Sequence, residues 1–132
     1  MTPADWQAVE VGLSHAFGHA TLRCDGRLVT LQVRMIAPRR YEIVPYVDGL
    51  FKGAWLTEDC EERRRFFRPR TIHAFTPTQR KLHIKAFGLR RARKLLSIDK
   101  STTVWMFSWP SFGPLKRHLV ANNQQIELVK DE

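Results

Sequence analysis

A chain of 132 residues with 43% hydrophobic content is long enough to bury the core of one domain and too apolar to remain disordered. The absence of a membrane-length apolar run, of a signal-peptide pattern and of a cysteine framework predicts a single domain over residues 1–132 in a reducing cytosol. The net charge of +9 favours an anionic partner.

The N-terminal segment predicts an amphipathic helix. Thr2 and Pro3 are typical of a helix start, because proline at the first helical position loses no hydrogen bond. Gly18 is a suitable end. Between them, four large apolar residues at helical spacing are expected to face the core, namely Trp6, Val9, Leu13 and Phe17.

Two Asp-Gly pairs predict hairpins, since this dipeptide suits the left-handed conformation of tight turns. The turn at Asp25-Gly26 sets Cys24 opposite Arg27 and aligns one apolar face, made of Ala20, Leu22, Cys24, Val29, Leu31, Val33 and Met35. The second turn, Asp48-Gly49, is expected to lead from a third strand into a fourth over Leu50 to Trp55. Pro45 and Gly53 indicate a bulge or an edge position in this hairpin.

The second half mixes short helices and strands. Thr57 is expected to cap a helix that Pro69 ends. A capping box at Thr76–Gln79 starts another, with Leu82, Ala86 and Leu89 on one face, and Gly88 separates it from further turns over Leu89–Leu96. A strand over Thr102–Trp109, a helix after Gly113-Pro114 and a strand from Ile126 to Val129 follow. The order predicts an α+β domain with a mostly antiparallel meander sheet and short helices.

The segment from Arg63 to Ile98 contains 12 of the 22 Lys and Arg residues and no acid. The alternative is an ordinary solvated helical surface, but such a surface usually contains both acidic and basic residues. A run without acids makes this alternative weaker. The run therefore predicts a helical face that contacts the phosphate backbone of a nucleic acid and does not read bases. The candidate residues are Arg63, Arg64, Arg68, Arg70, Arg80, Lys81, Lys85, Arg90, Arg91, Arg93 and Lys94, helped by Lys116 and Arg117.

Two further patterns in the sequence are candidates for nucleic-acid sites. Ile84–Ile98, with Gly88 in the turn, is similar in layout to a helix-turn-helix, but Lys94 falls where that motif needs an apolar residue. The stripe of Trp105, Phe107 and Trp109 suits either base stacking or a core position, and the core is favoured because large aromatic residues dominate cores.

The sequence predicts no metal, no cofactor and no catalysis. Cys24 and Cys60 form no tight ligand motif, and Gly18 interrupts the helical spacing of His15 and His19. The acids from Glu58 to Glu62 are explained by a helix start. No phosphate-binding loop or nucleophile motif is found.

The chain resembles small accessory proteins of tailed temperate bacteriophages from Thr21 to Leu128. The stretches that carry the resemblance are TLRCDGRLVTLQV, YVDGLFKGAWLTEDCEERRRFFRP and LKRHLVANNQQIEL. These proteins have no established activity. The resemblance implies a phage gene product that acts in the cytoplasm of a bacterial host.

The expected function is that of a small, basic, non-enzymatic phage protein that binds nucleic acid or nucleoprotein. The alternative is an anti-CRISPR-type inhibitor that docks on a host defence complex, and the resemblance to phage proteins motivates it. Such docking needs an aromatic anchor, and Tyr46, Phe51 and Trp55 are its candidates. The choice between DNA and RNA, the strandedness and the oligomeric state, a homodimer included, stay open.

Overall fold

The computed structural model describes residues 1–130 and confirms the α+β class. The described residues form six helices, an antiparallel four-stranded sheet and a two-stranded sheet. In chain order the elements are α1 (Pro3–Gly12), β1 (His19–Cys24), β2 (Arg27–Ala37), β3 (Arg40–Val47), α2 (Ala54–Thr57), α3 (Glu61–Phe66), β4 (Arg68–His73), α4 (Pro77–Phe87), α5 (Leu89–Leu96), β5 (Ser101–Met106), α6 (Phe112–Asn122) and β6 (Ile126–Val129).

The main sheet has the strand order β3-β2-β1-β6, with antiparallel pairs throughout. The meander β1-β2-β3 and the added C-terminal strand β6 both agree with the prediction. Strands β4 and β5 form a separate two-stranded sheet. The sequence did not predict β4, whose six residues are mostly polar and exposed.

The register of the first hairpin is confirmed. Cys24 pairs with Arg27 and Leu22 with Val29, because Asp25 and Gly26 both adopt positive φ angles in a two-residue turn. Six of the seven residues assigned to its apolar face are buried, namely Ala20, Leu22, Cys24, Val29, Leu31 and Val33.

Met35 departs from this pattern because it is 55% exposed. The pairing of β2 with β1 ends at Gln32, opposite His19. Met35 therefore lies on a part of β2 that extends past β1, and a bulge follows it before Ala37. The alternation of side chains along β2 predicts the face of Met35 correctly. Whether Met35 is buried also depends on how far the neighbouring strand β1 extends.

The predicted fourth strand over Leu50–Trp55 is wrong. The turn at Asp48-Gly49 forms, with a single bridge between Val47 and Leu50, but the chain then enters α2. Pro45 explains the early end, since it has no N–H to give a further strand along the outer side of β3. Farther along the same side, Ile43 already exchanges two backbone hydrogen bonds with Trp109.

Helix α1 begins after Thr2 as predicted, with a capping box between Thr2 and Asp5, but it ends at Gly12, six residues before the expected stop. Trp6, Val9 and Leu13 are buried as predicted, whereas Phe17 is 71% exposed. Gly18 has a different role from the expected one. A Cβ atom at Gly18 would lie 2.2 Å from the backbone oxygen of Gly12, so glycine permits the chain to fold back closely on α1.

Replacing Gly18 by Ala is therefore expected to destabilise the fold by about 1–3 kcal/mol or more, because backbone must move to admit the methyl group. The matched control is Gly53→Ala, where no atom lies within 4 Å of the added Cβ and φ is −57°. That change should be neutral or stabilising by about 0.4–1 kcal/mol. Chemical denaturation of both variants checks the difference, and equal stabilities would contradict the close approach.

Two helix predictions need correction. Thr57 is the last residue of α2 and caps nothing, while α3 begins at Glu61 after Cys60. Leu82, Ala86 and Leu89 are all exposed, although the sequence predicts a common apolar face. Helix α4 has no fully buried residue, and its half-buried positions are Arg80, His83 and Ile84. The apolar spacing predicts the wrong face because few residues of α4 are buried by other parts of the chain.

The core joins the inner sheet face to helices α1, α3 and α6, with Phe66, Leu115 and Leu119 fully buried. Trp109 belongs to this core, since its Nε1–H donates to the backbone oxygen of Phe66 at 2.9 Å. Phe107 is 38% exposed. Of the aromatic stripe that was predicted as core, Trp109 is therefore buried and Phe107 is not.

Contacts divide the chain into two compact units. We call residues 1–68 with 105–130 the sheet unit and residues Pro69–Val104 the basic unit. No helix within residues 1–130 is long and apolar enough to cross a bilayer.

Candidate nucleic-acid interface

The two units divide the charge of the chain very unequally. The basic unit contains nine Lys and Arg residues and one acid, Asp99, which gives a net charge of +8. The rest of the chain contains 13 Lys and Arg residues and 12 acids, which gives +1. Almost the whole excess of positive charge therefore belongs to 36 residues.

The arginines of α3 belong to the sheet unit and bind its own acids. Arg63 and Arg64 donate to Asp59 at 3.3 and 3.0 Å, and Arg63 also lies 4.9 Å from the centre of the Trp105 ring. Arg65 donates to Asp25 in the first hairpin turn. These cations begin the predicted run, but folding gives each of them a partner.

Asp25 accepts hydrogen bonds from three different residues of the sheet unit. The backbone N–H groups of Gln124 and Gln125 donate to it, in addition to Arg65. The pKa of Asp25 is lowered chiefly by the hydrogen bond from the Gln124 backbone, so this carboxylate stays charged. Asp25 thus links the β1–β2 turn, α3 and the segment before β6.

The other candidates in the sheet unit are dispersed. Arg68 is half-buried at the start of β4. Lys116 is half-buried, with its ammonium group 5.3 Å from the centre of the Trp6 ring, while Arg117 is exposed. Within residues 1–130, neither Lys116 nor Arg117 has an ion pair, so both remain candidates for an anionic partner.

The basic unit is built around α4 and α5. Thr76 and Gln79 exchange the two hydrogen bonds of the predicted capping box and fix the start of α4. Gly88, with φ of +79°, is the single residue between the two helices. Its positive φ explains why a glycine stands at this point.

Asp99 connects the two helices through one carboxylate. Its Oδ1 accepts from Arg80 Nη2 of α4 at 2.7 Å, and its Oδ2 accepts from Arg93 Nε of α5 at the same distance. The hydrogen bond from Arg80 is the main reason why the pKa of Asp99 is lowered. Arg80 and Arg93 therefore have a structural partner, unlike the neighbouring cations.

The remaining candidate cations of the basic unit are exposed, and in residues 1–130 none of them has an ion pair. On α4, Lys81 and Lys85 are four residues apart and lie on the same side. On α5, the single buried residue is Ala92, and Leu96 beside it is half-buried. The whole set is Arg70, Lys81, Lys85, Arg90, Arg91 and Lys94.

The basic unit also has very little core. Among its residues, all of which the structure describes, Ala92 and Ile98 alone are buried. Large apolar side chains are exposed instead, from 42% to 67%, namely Leu89, Ile72, Phe87, Leu82 and Leu95. The basic unit therefore exposes apolar side chains as well as cations.

The three aromatic residues suggested for protein docking do not form one exposed anchor. Phe51 and Trp55 pack against Phe67, with ring centres 5.9 and 6.1 Å apart, and Phe67 is fully buried. The hydroxyl of Tyr46 accepts a hydrogen bond from Arg34 at 3.1 Å. Phe51 is 38% exposed, so it is the one member that offers substantial surface.

The part of the chain that the structure describes holds no group of three His, Cys, Asp or Glu side chains that could bind a metal ion. Burial raises the pKa of the Cys24 thiol to about 12, so no thiolate forms there at neutral pH. Burial lowers the pKa of His118, whose Nε2 is engaged with the backbone oxygen of Arg64.

Sequence reasoning missed Asp99, which links α4 and α5, and it missed a cavity near His73 and Phe75. Asp99 lies one residue beyond the acid-free run and therefore drew no attention. Comparison with protein-family models, curated proteins and solved structures finds no match for this chain.

Proposed function

We propose that this chain is a non-enzymatic nucleic-acid-binding protein that acts through the exposed cations of the basic unit. They neutralise backbone phosphates, and the contacts are independent of base sequence. The resemblance to small phage proteins supports a place of action in the cytoplasm of an infected bacterium.

One observation carries the proposal: the basic unit holds a net charge of +8 with a single acid, and that acid is already bound to Arg80 and Arg93. Like charges held this close repel each other unless a partner supplies the opposite charge. A polyphosphate supplies negative charge at close regular spacing along its length, which suits cations distributed over two helices.

The rival function is inhibition of a host defence complex by docking on a protein or ribonucleoprotein. The exposed apolar residues of α4 and α5, Leu82, Phe87, Leu89 and Leu95, favour it, since protein interfaces combine apolar contacts with arginine. In this case the cations would help the apolar contacts and would not bind alone.

Capture from a bacterial lysate with the tagged full chain, with and without nuclease, separates the two functions. We expect bulk nucleic acid to be recovered without nuclease, and no stoichiometric protein to remain after nuclease treatment. A defined protein complex that survives nuclease would instead support the inhibitor.

A further inference from the structure

The basic unit contains a cavity of about 420 Å³ where α4 begins. Its wall includes two aromatic rings, His73 and Phe75, two cations, Arg80 and Lys81, and one carboxylate, Asp99. Ile98, which is 2% exposed, contributes an apolar side chain. The volume lies within the range of about 300–1,000 Å³ that is usual for small-ligand sites.

Phe75 is suited to hold a planar ligand. It is half-buried, and its ring meets that of His83 edge to face, with centres 5.2 Å apart and an interplanar angle of 78°. A ring that is already fixed loses little freedom when a second ring stacks on it. Nucleobases of every sequence can use such a ring, because each has a π-face.

The charged groups of the cavity are arranged for a phosphate. Asp99 fixes the guanidinium group of Arg80 by accepting from both Nε and Nη2, at 3.1 and 2.7 Å. The next residue, Lys81, is exposed, and it has no ion pair within the described part of the chain. Asp99 neutralises Arg80, so Lys81 is the cation at this cavity, beside the aromatic rings, that is available to a phosphate.

We infer that this cavity binds one unpaired nucleotide of a nucleic-acid strand. The base stacks on Phe75 beside His73, and Lys81 holds the adjoining phosphate. A base within a duplex is already stacked on both sides and does not enter. The inference rests on the proposed function and adds that the protein prefers single strands to duplexes.

The test uses fluorescence anisotropy with a mixed-sequence strand of about 12 nucleotides and the matching duplex. In the full chain, Phe75→Leu keeps an apolar side chain and removes the π-face. It should weaken single-strand binding by about 5- to 150-fold, the value of one stacked base, while duplex binding changes by less than about twofold. The matched control is Phe17→Leu, a 71% exposed phenylalanine of the sheet unit outside the cavity, which should leave both affinities unchanged.

Circular dichroism is used to check whether both variants remain folded. If Phe75→Leu leaves single-strand binding unchanged, or weakens strand and duplex equally, the nucleotide site is wrong while the proposed function stands. If the unchanged protein binds neither strand nor duplex, the proposed function fails and the nucleotide site fails with it. Should Phe75→Leu unfold the chain, Lys81→Gln takes its place, and equal affinities of this variant and the unchanged protein for the strand reject the site.

Discussion

Replacing Arg90, Arg91 and Lys94 by Glu is expected to weaken binding to mixed-sequence nucleic acid on the order of 100-fold. Each cation close to a phosphate contributes about 1 kcal/mol in water, so three lost contacts amount to about 3 kcal/mol before any repulsion from the new acids. All three side chains are exposed on α5 and, within residues 1–130, have no ion pair, so the fold should be retained. Arg93 is left unchanged because it binds Asp99.

The control is a triple variant with the same change in net charge in the sheet unit, namely Arg39, Lys52 and Lys130 to Glu. These side chains are also exposed. We expect this variant to bind within a few-fold of the unchanged protein at about 0.15 M salt, where distant charges are screened. If both variants lose the same affinity, only net charge matters and the basic unit is not the interface.

The parts of the fold that the sequence predicts well depend on local chemistry. The turn at Asp25-Gly26 fixed the register of the first hairpin, and the capping box at Thr76 fixed the start of α4. Gly88 separates α4 from α5 as predicted, and the second helix spans Leu89–Leu96 as predicted. In each case, residues close in the sequence determine the backbone conformation.

The wrong predictions concern contacts between distant parts of the chain. The fourth strand fails because Trp109 and Pro45 leave no place for it along β3. Phe17 is exposed because Gly18 folds the chain back onto the end of α1. Neither event leaves a signal in local periodicity, which is why apolar spacing alone assigned Phe17 to the core.

The candidate interface was also predicted only in part. The sequence shows one acid-free run, but folding assigns its first arginines to the sheet unit. Arg65 binds Asp25, which is 40 residues away, and no pattern in the sequence indicates that pair. Between Lys81 and Lys94 the sequence contains no acid, and of the cations in this range only Arg93 has an ion pair within the described residues. The prediction for the other cations therefore needs no such correction.

The dependence of affinity on salt tests whether the cations of the basic unit bind phosphates. If the five cations Lys81, Lys85, Arg90, Arg91 and Lys94 each neutralise one phosphate of a duplex, log affinity should fall against log salt with a slope of about −4.5. Between 50 and 200 mM salt this corresponds to a loss of affinity on the order of 500-fold. The reason is entropic, since each contact releases a counterion that the phosphates had condensed.

The measurement is a titration of one fluorescent duplex at several salt concentrations, with the unchanged protein and with the Arg90, Arg91 and Lys94 variant in parallel. We expect a steep slope for the unchanged protein and a slope shallower by about 3 for the variant, since about 0.9 is lost per contact. An affinity that stays flat from low to high salt, or the same slope for both proteins, would contradict binding of phosphates by the basic unit.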